Sequence, residues 1–221
     1  MGYALAPGVS FCRVSGRLLF LDVDRDRYFC LSLPAEEAFS RWTSGEALTQ
    51  EERARLDRLA KRGPLRRCDA ALPPAPVPST FVTGSVLDRP LPPAAPAAIA
   101  AAGARLLTTA VRLRVRGLGS LLRAVRRRKA RAWDARRSPE DPLAQTAAAF
   151  EALSMVAAAH DRCLVRSVAA ARRLLALGVR PDLVIGVRLQ PFKAHCWVQH
   201  GDQVVNDRVD VVRAFTPILV L

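Results

Sequence analysis

Cys163, His195 and Asp207 are three side chains whose types and settings suit attack on a peptide bond. A cysteine is a strong nucleophile only as its thiolate, which is favoured at a helix N-terminus, where unpaired N–H groups and the positive end of the dipole face it. Cys163 meets that condition: Asp161 reads as an N-cap, Leu164, Val168, Ala171 and Leu175 follow at helical spacing, and Gly178 closes the helix. Arg162 and Arg166 are expected to add positive charge beside it. The thiol then needs an imidazole to take its proton and return it to the leaving amine, and a carboxylate to hold that imidazole in the right tautomer. His195 and Asp207 lie on two strand-like runs, 194–199 and 203–207, around the turn His200-Gly201-Asp202. With three residues in that loop His195 faces Asp207 directly; a shift of one moves Asp207 one place away. The backbone N–H of Cys163 is left for a tetrahedral oxyanion, where one such donor is typically worth ~3–4 kcal/mol of barrier.

Each residue alone has a plainer reading: Cys163 as a small buried apolar group, His195 as a satisfied half-buried histidine, Asp207 as a strand-end carboxylate. Their coincidence with a helix start and a hairpin is what favours chemistry. Cys196 points to the opposite strand face and reads as core, while His160 and His200 are weaker base candidates. The chain has five cysteines and no CxxC pair, so neither a disulfide framework nor a zinc knuckle is expected. It also lacks GxxxxGK[ST], a GxGxxG after a strand, HExxH and GxSxG, so nucleotide hydrolysis, dinucleotide redox and zinc-peptidase chemistry have no visible basis. Neither cofactor nor metal is predicted.

The elements that must position these groups follow from punctuation. Eight prolines between residues 71 and 96 argue against helix and for an extended connector dividing the 221-residue chain. The expected domains are therefore 1–70, a linker over 71–97, and 98–221. In the first, runs 9–13, 17–23 and 27–31, separated by Ser15-Gly16 and Asp24-Arg25-Asp26, predict a three-stranded antiparallel meander. Pro34 opens a helix carrying Ala38, Phe39 and Trp42. Thr49 with Glu52 forms a capping box for a helix with Leu56, Leu59 and Ala60 inward, ending at Gly63-Pro64. The third strand is expected at an exposed edge, where an extended peptide can add. In the second domain an Ala-rich helix, 143–159, precedes the Cys163 helix, and runs 183–189 and 194–199 are strands joined through residues 190–193. The fold class is α+β.

The formal net charge is +14, and residues 105–137 hold 12 basic side chains against one acidic, while the rest of the chain is nearly balanced. Leu106, Leu107, Ala110, Leu113, Leu118, Leu121, Leu122 and Val125 in this stretch read as helices docked by one face with arginines outside. A solvated face is the plain reading; contact with an acidic peptide or protein is the alternative. Nucleic acid is disfavoured, because Trp133 is the stretch's one aromatic. The run 90–104 is broken by four prolines and is shorter than the roughly 20 apolar residues of a spanning helix. The N-terminus lacks a basic n-region and an unbroken apolar stretch. A cytoplasmic protein without membrane contact is expected.

Residues 162–221 resemble the lasso-peptide biosynthesis B proteins, the leader peptidases with a transglutaminase-like, papain-related fold. The features carrying the resemblance are Cys163-Leu164-Val165-Arg166-Ser167, Gly186-Val187 ahead of Pro191-Phe192-Lys193-Ala194-His195, Trp197, Asn206-Asp207 and Phe215-Thr216-Pro217-Ile218. Residues 1–70 more loosely resemble the precursor-recognition domain of ribosomal-peptide pathways, a three-stranded sheet with winged-helix-like helices, through Leu5-Ala6-Pro7-Gly8-Val9, Leu18-Leu19-Phe20-Leu21-Asp22 and Tyr28-Phe29-Cys30-Leu31-Ser32. The resemblance implies that Cys163, His195 and Asp207 are the catalytic residues of a cysteine endopeptidase. It implies that the leader of a ribosomally made precursor adds as a strand beside Arg27, Tyr28, Phe29, Cys30 and Leu31, with its side chains held against the helix of Leu56 and Leu59. It also implies a separate asparagine-synthetase-like cyclase as partner, to which any ATP use belongs. Two other classes stay open: an acyl transferase of the transglutaminase type using the same three residues, and a non-catalytic adaptor acting through its basic helices.

Overall fold

The computed structural model describes residues 2–69, 73–78, 81–132, 140–154 and 163–221. The chain forms two compact units, Met1–Pro78 and Ser79–Leu221.

The first unit is built on the meander β2 (Val9–Val14), β3 (Arg17–Asp22) and β4 (Arg27–Cys30), antiparallel in the order β2-β3-β4. Alternation sends Phe11, Leu18 and Phe20 to one face, where helix α1 (Leu33–Thr43) brings Ala38 and Phe39 and α2 (Gln50–Arg62) brings Leu56. Phe39 meets Phe11 and Phe20 edge-on, each at a centroid separation of 5.1 Å. Thr49 and Glu52 complete the expected capping box. Glu36 is buried yet satisfied: it accepts from the Leu18 N–H at 2.7 Å and from Arg17 at 2.9 Å, tying α1 to β3. A second sheet, absent from the sequence reading, pairs β1 (Gly2–Leu5) with β5 (Leu65–Cys68) and so joins the two ends of this unit.

The second unit has a five-stranded sheet in the order β10-β7-β8-β9-β6. Its long members are β7 (Asp182–Leu189), β8 (Phe192–His200) and β10 (Thr216–Val220), and it is extended by β9 (Gln203–Val204) and β6 (Gly84–Ser85), which pair in parallel. The β7–β8 connection is therefore two residues, Gln190 and Pro191, rather than four, because Phe192 and Lys193 already pair with Leu189 and Arg188. The proline-rich stretch is not an extended connector throughout: β6 is part of this sheet, Val82 is in its core, and Pro96 starts a helix. Helix α5 (Cys163–Ala176) packs on β8 through small buried residues, among them Ser167, Ala170 and Ala171. Helices α3 (Pro96–Arg131) and α4 (Glu140–Ser154) pack against α5, and the short α6 (Val209–Arg213) precedes β10.

The expectation of one docked face along the arginine-rich stretch fails at Gly117. There α3 breaks, with φ 72° and ψ 171°, a conformation that costs a residue without a Cβ little. The break resets the helical phase. Of the expected positions, Leu118, Leu121, Leu122 and Val125 after it are buried, whereas before it Leu107 and Ala110 are exposed and Leu106 and Leu113 only half-buried. No helix among the described residues is long and apolar enough to cross a membrane.

Candidate active site

Three elements bring the site together: the first residue of α5 carries Cys163, the middle of β8 carries His195, and the chain leaving β9 carries Asp207. The hairpin that sets the last two differs from the three-residue expectation. Gln199 pairs with Val204 and His200 with Gln203, so the loop is Gly201-Asp202 and Asp207 lies one place from opposite His195. The carboxylate still reaches the ring, because ladder pairing ends at Val204 and the backbone is redirected. Val205 N–H donates to Val198 O at 2.8 Å, but the Val198 N–H is taken by the Asn206 side chain at 2.7 Å rather than by backbone. His195 Nε2 consequently lies 2.5 Å from Asp207 Oδ2. The other carboxylate oxygen, Oδ1, accepts from the Arg208 N–H at 2.8 Å.

With Nε2 committed to Asp207, Nδ1 is the ring nitrogen left for sulfur, and Cys163 and His195 share a side-chain hydrogen bond. Burial alone would push the Cys163 thiol up, but this bond, the charge of His195 and the backbone of Cys196 and Leu164 outweigh it and hold the thiol below its ordinary value. His195 moves the other way. Burial opposes its charge, yet Asp207 and Cys163 together push it up to about 9. Both shifts act in the direction that favours a thiolate–imidazolium pair over the neutral thiol and imidazole. Arg166 does not contribute as expected, since its guanidinium is bonded to Glu151 and Ser154. Asp161, His160 and Arg162 lie outside the described residues.

Several polar groups to which the sequence assigned no role hold this geometry. Ser167 Oγ donates to the Cys196 carbonyl at 2.7 Å and accepts from Asn206 Nδ2 at 2.9 Å, so one buried hydroxyl links α5, β8 and the strand exit next to Asp207. Ser85 Oγ donates to the Asp207 carbonyl at 2.6 Å from β6. Its motif, Ser85 with Asp88 three residues on, is a capping box inside the proline-rich stretch and was the available signal. Gly186 stands opposite His195 in the β7–β8 register. A Cβ there would come within 2.6 Å of the Trp197 ring and 2.9 Å of Phe215 Cβ. The missing side chain thus lets Trp197 and Phe215 close on the imidazole, at ring-centroid distances of 6.2 and 5.1 Å. Cys196 is buried with its thiol pushed up by that burial, as a core residue should be. His200 Nδ1 lies 3.3 Å from the Arg180 carbonyl, away from these groups.

Cys163 and Asp207 open on a cleft of about 690 Å³ walled by Leu106, Leu107, Phe150 and Leu153. That volume suits several residues of an extended peptide. Among the described residues no three His, Cys, Asp or Glu side chains gather as a metal site.

A second cleft, about 550 Å³, lies within the first unit between β4 and α2. Of the residues expected to hold a peptide there, Arg27, Phe29, Cys30, Leu31 and Leu59 line it. Tyr28 does not, and Leu56 is fully buried in the core beneath. Helical phase explains the last point: Arg55, Arg58, Leu59 and Arg62 face the cleft, and Leu56 turns inward. Beside it, β4 is the edge of its sheet with no further strand among the described residues.

Residues 105–220 match the model of the transglutaminase-like superfamily. Over 45 residues the chain is 51% identical to the microcin J25-processing protein McjB of Escherichia coli. That stretch is 20% of this chain and 22% of McjB, so the match spans about a fifth of the relative's length. No solved structure matches the chain.

Proposed function

The chain belongs to the transglutaminase-like superfamily, and from that premise we propose that it is a cysteine endopeptidase removing the leader from a ribosomally made lasso-peptide precursor. The observation that carries this reading is the meeting of Cys163, held toward thiolate, with a His195 that Asp207 keeps charged, at the mouth of a peptide-sized cleft. The Cys163 thiolate attacks the scissile carbonyl carbon, and the oxyanion forms beside the N-terminal amides of α5. Protonated His195 gives its proton to the departing amine, which leaves as the new N-terminus of the core peptide. Neutral His195 then takes a proton from water, whose oxygen displaces sulfur and releases the leader as a free carboxylate. Asp207 keeps the ring's Nδ1 aimed at sulfur throughout. The first unit captures the leader as a strand added to β4, with side chains in the groove against Leu59, which raises the local concentration of the scissile bond. The partial likeness to McjB, a protein named for processing microcin J25, supports a precursor of this class. A separate cyclase would consume the released core.

The test is incubation of the full chain, wild type and Cys163→Ala, with a precursor of this class, followed by mass spectrometry. The expected products are core peptide and a leader ending in a free carboxylate, with the substituted chain slower by ~10⁴-fold or more. A leader joined to an added amine, formed even when water is the more available acceptor, would instead mark an acyl transferase. Unchanged turnover in Cys163→Ala would overturn the thiol mechanism altogether.

A further inference from the structure

Where α3 packs on α5, five arginines gather with no carboxylate paired to any of them among the described residues. On α3, Arg105, Thr109 and Arg112 follow at spacings of four and three and so share one face. From α5, Arg172 crosses to that face, its Nη1 lying 2.6 Å from Thr109 Oγ1 and 3.3 Å from Thr108 Oγ1. Its neighbour Arg173 is only 7% exposed, and its Nε has no hydrogen-bond partner among the described residues. Burial lowers the proton affinity of both; like charge from Arg112, Arg128 and Arg105 acts further on Arg172, and from Arg105 on Arg173. Arg105 is thus the residue common to the buried and the half-buried guanidinium, and Arg112 and Arg128 are exposed. The cluster runs from the protein interior to solvent.

Such a gathering is costly as it stands. A buried charge needs a counter-charge or a full set of hydrogen bonds, and arginine cannot escape by losing its proton. The last turn of α5 supplies a partial negative charge of about half a unit, which falls well short of five cations. Lysine would serve a solvated surface equally well. Planar forks brought to one helix joint from both sides suit a tetrahedral oxyanion, which offers acceptors in several directions.

We propose that the α3–α5 joint is a binding site for a phosphate-class dianion, anchored by Arg173, flanked by Arg105 and Arg172, and reached from solvent past Arg112 and Arg128. A dianion offsets two of the five charges where a carboxylate offsets one, and its tetrahedral oxygens reach donors on both helices. Arg172 and Arg173 follow Cys163 by nine and ten residues on α5, which at 1.5 Å per residue is roughly 14 Å along the axis. This site is therefore separate from the cleft at Cys163 and does not depend on the peptidase reading.

The test uses the full chain and inorganic phosphate as the probe, at ionic strength held constant with chloride. Calorimetric titration should give one saturable site, and thermal melting a rise of roughly 3–6 °C that saturates with it. Arg173→Met should abolish both while melting no lower than wild type in phosphate-free buffer, because it removes an uncompensated buried charge. Should that variant not fold, Arg112→Ser combined with Arg128→Ser decides: both residues are exposed, so the phosphate-free melting temperature should hold while affinity falls by about fivefold or more. Absence of saturable binding to wild type, or equal binding by these variants, would overturn the proposal. So would stabilisation that keeps rising without saturation, the mark of general exclusion of phosphate from the surface.

Discussion

The two clefts meet opposite physical demands. In the first unit the groove beside β4 leaves things unfinished: an open strand edge, a half-buried Leu59, and Arg27, Arg58 and Arg62 around the opening. In the second unit the polar groups behind His195 are closed off. Asn206, Ser167 and Ser85 are each buried and bonded to backbone, the first two to β8 and Ser85 to the chain leaving β9. An added strand needs donors and acceptors still to be satisfied, whereas a proton relay needs them satisfied in advance, so that no reorganisation accompanies the reaction. The contrast predicts that substitutions in the second unit act on kcat and those in the first on KM.

After loss of the Cys163 sulfur itself, the largest effect is expected at Asp207. Asp207→Asn retains the shape but reverses what Nε2 can donate to, and kcat should fall by about 10²–10⁴-fold. The pH profile gives the sign. Activity needs Cys163 ionised and His195 protonated, so the acid limb falls where the thiolate takes up a proton, below the ordinary cysteine range, and the alkaline limb falls near pH 9 as His195 discharges. Removing the Asp207 charge withdraws the main influence raising His195, so the alkaline limb should move down toward the ordinary histidine value of about 6.5. An alkaline limb that stays put would show that Asp207 does not govern the ring.

Next in size is Gly186→Ala. The added methyl meets a Trp197 ring that is itself buried and fixed by its Nε1 donating to Gln199 Oε1 at 2.9 Å, so neither partner can give cheaply. Overpacking of this kind costs about 1–3 kcal/mol in stability. Because the displaced rings are those against His195, kcat should also fall by about 10–100-fold, read from kinetics and urea melts of the same sample. A smaller loss, about tenfold in kcat, is expected for Ser167→Ala, which leaves Asn206 Nδ2 and the Cys196 carbonyl without their shared partner.

These positions also mark the limit of what could be read in the sequence. Cys163, His195 and Asp207 were legible as candidates because each sits on or beside a local signal: a helix start, the first strand of a hairpin, the exit of that hairpin. The α+β class and the Thr49–Glu52 cap were legible for the same reason, being local patterns. Ser167 and Asn206 stand in the motifs that carry the resemblance, but their roles were not legible, because their partners are backbone groups and Asn206 bonds to Ser167 across 39 residues, and spacing carries no trace of that. The two-residue strands β6 and β9 are too short for any period, so Ser85 looked like linker. Gly117 was missed because leucines and arginines recur on both sides of it, and composition alone does not reveal that the helical phase restarts.

The smallest predicted effect is the sharpest test of the comparison. Leu59 lines the groove from α2 and is partly buried against the core, so Leu59→Ala removes apolar surface that a bound leader would cover. An apolar side chain of this size contributes about 1.5 kcal/mol when covered, equivalent to about a tenfold rise in KM for the full precursor. Its kcat should be unchanged, and so should the rate on a short peptide containing only the scissile region. If kcat falls instead, or if the short peptide suffers equally, the groove is coupled to the chemistry and the division of labour between the two units is wrong. If KM rises only for the full precursor, the leader is held by a surface that takes no part in bond breaking, which is what an open edge and an unfinished groove are suited to do.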